Sequence, residues 1–176
     1  LQDSAVDIEA FIRARLVARL GRITNQRFTT GTGTGQPLGI VTAAGSGKVG
    51  LTGQTTAVIY DDLVDLQHSV DPAYRQAHSL QSGGVSMYNA EAGFMMNDLT
   101  LRNIRKLKDS QNRPIFVPGY EVGVPGGVPD TLLGSPIYIN QDMPVMAANA
   151  KSILFGNFAP YIIRDVMYST SIRPED

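Results

Sequence analysis

The sequence predicts an α+β domain: one long helix, then a unit in which helices flank a mixed central β-sheet. Three observations carry this. Apolar residues recur at steps of three and four along the first stretch, giving a helical face. Short apolar runs then alternate with stretches that open on Asp or Asn, the usual helix caps. Glycine and proline cluster in a few stretches that read as loops. The chain has 176 residues, long enough for one domain with its own core.

The first predicted helix covers Asp3 to Ile23. Asp3 or Ser4 caps it, and Asp7 and Glu9 sit where the helix dipole favours acid. Ile8, Phe11, Ile12, Leu16, Leu20 and Ile23 form its apolar face, with Arg13, Arg15, Arg19 and Arg22 mostly off that stripe. At 1.5 Å per residue it is roughly 30 Å long, long enough to brace something. Gly31 to Pro37 is a turn, Leu38 to Thr42 a short β-like run, and Ala43 to Gly53 a Gly/Ser/Thr loop. Thr56 to Tyr60 is predicted as a strand. Asp61 or Asp62 then caps a helix that stops before Asp71-Pro72.

Ala77 to Glu91 is polar and glycine-bearing, a surface loop. Gly93 to Met96 is a buried strand, and Asn97 or Asp98 caps a helix carrying Leu101, Ile104 and Leu107 and ending near Asp109. Pro118 to Pro129 is dense in glycine and proline and is an irregular loop. Pro136 to Asn140, Ser152 to Phe155 and Tyr161 to Met167 complete the list of strands.

Composition narrows the function. Fifteen basic and sixteen acidic residues leave a formal charge of −1, without the basic excess of a dedicated nucleic-acid binder, though a local basic strip remains compatible. With no cysteine, disulfides, thiolate metal sites and cysteine nucleophiles are excluded. No apolar run approaches the roughly 20 residues that span a bilayer, and no secretion signal opens the chain. Starting at Leu1 without a methionine, the chain reads as a fragment or a processed product.

Motif by motif, catalytic chemistry finds no foothold. Gly31-x-Gly33-x-Gly35 follows a helix, precedes Pro37 and brings its third glycine one residue early for a dinucleotide fingerprint. Gly45-Ser46-Gly47-Lys48 lacks the Walker glycine, where Thr42 stands, and the hydroxyl after the lysine, where Val49 stands. His68 and His78 have no partner at helical metal-site spacing. Asp61, Asp62 and Asp65 could pair for acid–base work, but capping gives them a sufficient structural purpose. The reading is of a protein without catalytic, cofactor or metal residues, working through its surfaces.

Several ordered segments are similar to one family. Leu1 to Ala10 resembles the start of a spine helix, and Gly31 to Ile40 the glycine turn behind it. Tyr60-Asp61-Asp62-Leu63, Asp71 to Arg75, Met96-Asn97-Asp98 and Leu107-Lys108-Asp109 follow in the same order. So do Leu132 to Ile137, Asn140 to Pro144 and Ile153 to Phe158. The chain thus resembles the major capsid proteins of tailed bacteriophages, the phage capsid family with its Hong Kong 97-type fold.

That resemblance implies a shell subunit of a phage or prophage. Copies of the chain would be its partners, in pentamers and hexamers closing an icosahedral shell. Packaged DNA would be contacted only indirectly, and no membrane would be involved. The subunit would be made in the host cytoplasm and reside in the virion capsid. Residues 1–30 would be the spine helix of a partial peripheral domain, and residues 31–176 the axial domain with a return strand. The amino-terminal arm, extended loop and final peripheral strand are expected to be absent, and Ser79 to Glu91 looks inserted. Pro118, Gly119, Tyr120, Pro125, Gly126, Gly127 and Pro129 are the candidate contact loop at the capsomer axis. Arg13, Arg15 and Arg19 are candidate spine-helix contacts. An encapsulin-type nanocompartment shell and a small enzyme with an unfamiliar site are the alternatives.

Overall fold

The structure, a computed structural model, describes residues 8–75, 81–82, 85–86, 92–116 and 131–163. Helix α1 (Ile8–Thr30) continues past the predicted end at Ile23, while the predicted caps Asp3 and Ser4 lie outside the described residues. Its last turn carries its own satisfaction. Thr29 Oγ1 donates to Asn25 O at 2.8 Å, Thr30 Oγ1 to Gln26 O at 3.0 Å, and Gly31 N to Arg27 O at 2.9 Å. The stop at Gly31 is steric: a Cβ there would meet Pro37 O at 2.2 Å and Arg27 O at 2.3 Å, so only glycine fits.

Two predicted strands are corrected. Leu38 makes only an isolated bridge with Thr32, and the rest of the Leu38–Thr42 run enters a one-turn helix, α2 (Ile40–Ala43). Its backbone donors are used locally: Ala43 N reaches Gly39 O and Ala44 N reaches Ile40 O, both at 2.9 Å. Lys151 Nζ then caps the turn, donating to Ala44 O at 2.6 Å and Val41 O at 3.2 Å. Residues 56–59 likewise form no strand, and Tyr60 already belongs to α3 (Tyr60–His68). Ile59 is the N-cap of α3, so neither predicted aspartate caps it. Asp62 serves from inside the helix, accepting the Ile59 amide at 3.4 Å. After α3, the turn α4 (Pro72–Arg75) opens with Asp71 Oδ1 accepting the Ala73 amide at 2.7 Å.

Inside the predicted surface loop at 77–91, a two-residue pair appears, β1 (Gln81–Ser82) antiparallel to β2 (Val85–Ser86). Strand β3 (Gly93–Met96) lies where predicted, and α5 (Asp98–Arg105) follows, ending ahead of the predicted Asp109. Asn97 is its N-cap, accepting the Leu99 amide at 2.9 Å. An unpredicted strand β4 (Thr131–Leu132) turns through Leu133 and Gly134, both at positive φ, into β5 (Ser135–Ile139). Strand β6 (Ile153–Gly156) completes a mixed sheet in the order β4-β5-β3-β6, with β3 parallel to β5 and antiparallel to β6. Tyr161 to Ile163, predicted as the start of a strand, are irregular; the rest of that run, and the 118–129 loop, lie outside the described residues.

Strand alternation sorts the core onto two faces. Phe94 and Met96 face α3 and α5, packing with Leu63, Leu101 and Ile104, all nearly sealed from water. Met95 and Leu154 point the other way, to Val41 of α2 and Met143. The sheet therefore lies between α3/α5 and the α2 region that follows α1, which is the α+β arrangement predicted. Phe94, fully buried and 4.6 Å from the Phe155 ring centroid, anchors the larger cluster. Replacing Phe94 with Ala is expected to cost about 3–5 kcal/mol in urea unfolding. Val17→Ala on the exposed side of α1 should change stability by less than about 0.5 kcal/mol. Equal effects would contradict this placement of the core.

Candidate assembly surface

Helix α1 touches the rest of the molecule through its carboxyl end. Every residue from Ile8 to Arg27 is exposed, and burial begins at Phe28 and Thr29. A polar network on the turn after β5 holds that end. Asn140 Nδ2 donates to Thr29 Oγ1 at 2.9 Å, and Asn25 Nδ2 donates to Asn140 Oδ1 at 2.9 Å and to the Asp142 carboxylate. The turn is itself fixed to the sheet: Asn140 N reaches Met96 O at 2.9 Å, and Asn97 Nδ2 reaches Gln141 O at 2.9 Å and Met143 O at 3.2 Å. On the far side, the Tyr161 hydroxyl lies 3.2 Å from Phe28 O and 3.1 Å from Leu38 O.

Beyond this anchorage the helix presents apolar surface to solvent. Ile8, Phe11, Ile12, Leu16, Val17, Leu20 and Ile23 are each between 41% and 70% exposed. Isolated soluble domains rarely leave so much apolar area open on one helix, which makes this stripe the candidate assembly surface. Two of the three candidate arginines are already engaged on α1 itself. Arg13 pairs with Glu9 one turn earlier, and the Arg15 guanidinium lies 5.2 Å from the Phe11 ring centroid. Arg19 is exposed. The candidate loop residues Pro118, Gly119, Tyr120, Pro125, Gly126, Gly127 and Pro129 lie outside the described residues.

The model of the phage capsid family matches residues 1–176, the whole chain. The chain belongs to the phage capsid family. Two solved structures have the same fold. One is titled the capsid of an empty GTA (gene transfer agent) particle computed with C5 symmetry: TM-score 0.64, 29% identity, 89% of this chain and 51% of that one covered. The other is the capsid of the native GTA particle, also computed with C5 symmetry, at TM-score 0.65 and 28% identity with the same coverage. The chain thus spans about half the length of these capsid chains. No curated protein matches it.

In this phage capsid family chain, the residues that resembled enzyme motifs are spoken for. Gly45 to Lys48 forms part of a strap over an open cleft of about 1020 Å³ beside α3 and β6. Lys48 does not wait there for a phosphate. It pairs with Asp65 and lies 3.7 Å from Asp62. Asp62 also accepts the Gln54 amide at 2.6 Å, so the carboxylates of α3 hold the strap at two points. His68 ends α3 on the surface, and His78 lies outside the described residues. Among the described residues no group of His, Cys, Asp and Glu could hold a metal, and no helix is long and apolar enough to cross a membrane.

What sequence reading missed is the anchoring set of Asn25, Thr29, Asn140 and Asp142. Its two halves, Asn25 with Thr29 and Asn140 with Asp142, are more than a hundred residues apart; the available signals were the polar run ending α1 and the family-like segment Asn140 to Pro144.

The hydrogen bond that Lys48 donates to Asp65 raises its pKa above the ordinary 10.5, against desolvation and with the Asp65 and Asp62 charges adding to the rise. A raised lysine contributes its pairing fully below that ordinary value and loses it as pH climbs through the folded one. Carbon-13 shifts of the Gly47 and Gly50 α-carbons should therefore hold steady through neutral pH and move only above 10.5. Lys48→Met should move them already at neutral pH; unchanged shifts in that variant would show the pair to be idle.

Proposed function

We propose that this chain is the spine-helix and axial-domain part of a phage-type major capsid protein, a shell subunit that meets copies of itself and carries no reaction centre. Residues 1–30 act as the spine of a partial peripheral domain and residues 31–176 as the axial domain. The observation that carries the reading is the exposed apolar stripe of α1, held at a set angle by its buried carboxyl end. Family membership and the two GTA capsids of like fold support it. The large cleft gives the enzyme alternative no help, since Lys48 at its mouth is already taken up by Asp65 and Asp62.

The mechanism is surface complementarity repeated by symmetry. Burying Phe11, Leu16 and Leu20 against a neighbour would contribute roughly 25 cal/mol per Å² of apolar surface removed from water. Arg19, and Arg13 once released from Glu9, are the candidate cations for ion pairs between subunits. The 118–129 loop is the candidate contact at the capsomer axis. The site of action is the particle shell, with synthesis in the host cytoplasm.

Electron microscopy of the gene product expressed alone tests the reading. Capsomers or closed shells are expected; persistent monomers that turn over a substrate would overturn it. Leu16→Glu with Leu20→Glu is expected to abolish assembly while shifting unfolding free energy by less than about 1 kcal/mol, as surface positions do. Assembly that survives both charges would remove α1 from the interface.

A further inference from the structure

Helix α5 buries Thr100, Leu101 and Ile104 against the sheet. Its opposite side carries Arg102 and Lys106, four residues apart and so stacked one above the other along the axis. Lys108 follows in the segment bridged to Pro114. All three are exposed, and among the described residues none takes part in an ion pair. Arg105, beside them, lies 5.8 Å from the Phe116 ring centroid.

The nearest acids do not answer this charge. Asp98 stands at the opposite, amino end of α5, where the helix dipole already favours it. Asp109 is occupied: it accepts the Arg113 amide at 2.8 Å, the Gln111 amide at 2.9 Å and Arg113 Nε at 2.9 Å. The Arg113 backbone bond, foremost among these, holds its carboxyl below the usual aspartate range. A ridge of unanswered cations thus stands on a chain whose formal net charge is −1. Arg102 and Lys106 are separated by about 6 Å of helix rise. Phosphates on one strand of a duplex recur about every 3.4 Å along its axis, so a ridge of this length faces more than one of them.

We propose that Arg102, Lys106 and Lys108 form a phosphate-binding ridge that holds the backbone of a double-stranded nucleic acid without reading its bases. Cations placed to meet phosphates fix position and carry no sequence information. Three such contacts bind weakly in one copy, and repetition over many linked copies would raise the total by avidity. Only that last step rests on the shell reading; the ridge itself belongs to the single chain.

The test uses the 176-residue chain in unassembled form, so its failure leaves the shell reading untouched. Fluorescence anisotropy of a labelled DNA duplex is measured between about 50 and 200 mM salt. Binding is expected, with log K falling against log salt at a slope of about −2.7 for three phosphates. The variant R102Q/K106Q/K108Q, checked as folded by circular dichroism, should bind at least about tenfold more weakly at the lowest salt. Arg22→Gln on α1 should leave affinity unchanged. No binding at the lowest salt overturns the proposal, as does a triple variant that binds like the parent. Binding of poly-glutamate without the duplex would also overturn it, assigning the ridge to an acidic protein partner.

Discussion

Four side chains decide what this molecule can do. Asn25 and Thr29 on α1 meet Asn140 and Asp142 on the turn after β5, and Asn140 is itself bonded to the end of β3 through Met96 O. A helix about 34 Å long has a long lever, so a small rotation at its base sweeps the far end widely. Each hydrogen bond contributes only about 0.5–1.5 kcal/mol net, but several converging on one turn permit a single orientation. Tyr161 closes the same joint from the other side by approaching the Phe28 and Leu38 carbonyls. The joint is polar because it must be directional; apolar contact alone would let the helix roll.

The rest of the architecture divides labour around that joint. Phe94, Met96, Leu63, Leu101 and Ile104 make a core that α1 does not enter. The helix in turn keeps its apolar stripe open. A stripe that closed onto its own core would have no surface left for a partner. Gly31 and Gly39 let the chain reverse directly beneath the joint, with Gly39 N bonded to Gly31 O at 2.9 Å. A Cβ on Gly39 would stand 2.4 Å from Gly31 N, so the reversal depends on both glycines.

Much of this was legible in the residue order, for identifiable reasons. Gly93 to Met96 is a short apolar run followed by Asn97, and burial and cap both appeared where that pattern puts them. The strands at 136–140 and 152–155 were clear in the same way, to within a residue. Leu38 to Thr42 was not, because a five-residue run with four apolar or β-branched members fits a strand or a helical turn equally well, and the bond between Gly39 and Gly31 decides it. Strand β4 is two residues long and its turn pairs Gly134 with Leu133, a residue that seldom adopts positive φ, so the turn signal was a single glycine. The exposed stripe of α1 was legible as a pattern, but not its exposure: periodicity names a face, and only the fold says what covers it. The pairing within the anchoring network was not legible, since the residues that meet, Asn25 and Thr29 with Asn140 and Asp142, lie in separate segments that only the fold brings together.

A distance measurement across the joint tests the central claim most directly. The chain has no cysteine, so Arg19→Cys and Gln111→Cys introduce two unique sites for spin labels on α1 and on the core domain. Double electron–electron resonance on unassembled protein should give one narrow distance distribution, and adding Asn140→Ala should broaden it. A distribution already broad with Asn140 in place, or one that its removal leaves unchanged, would contradict the idea that this network aims the helix.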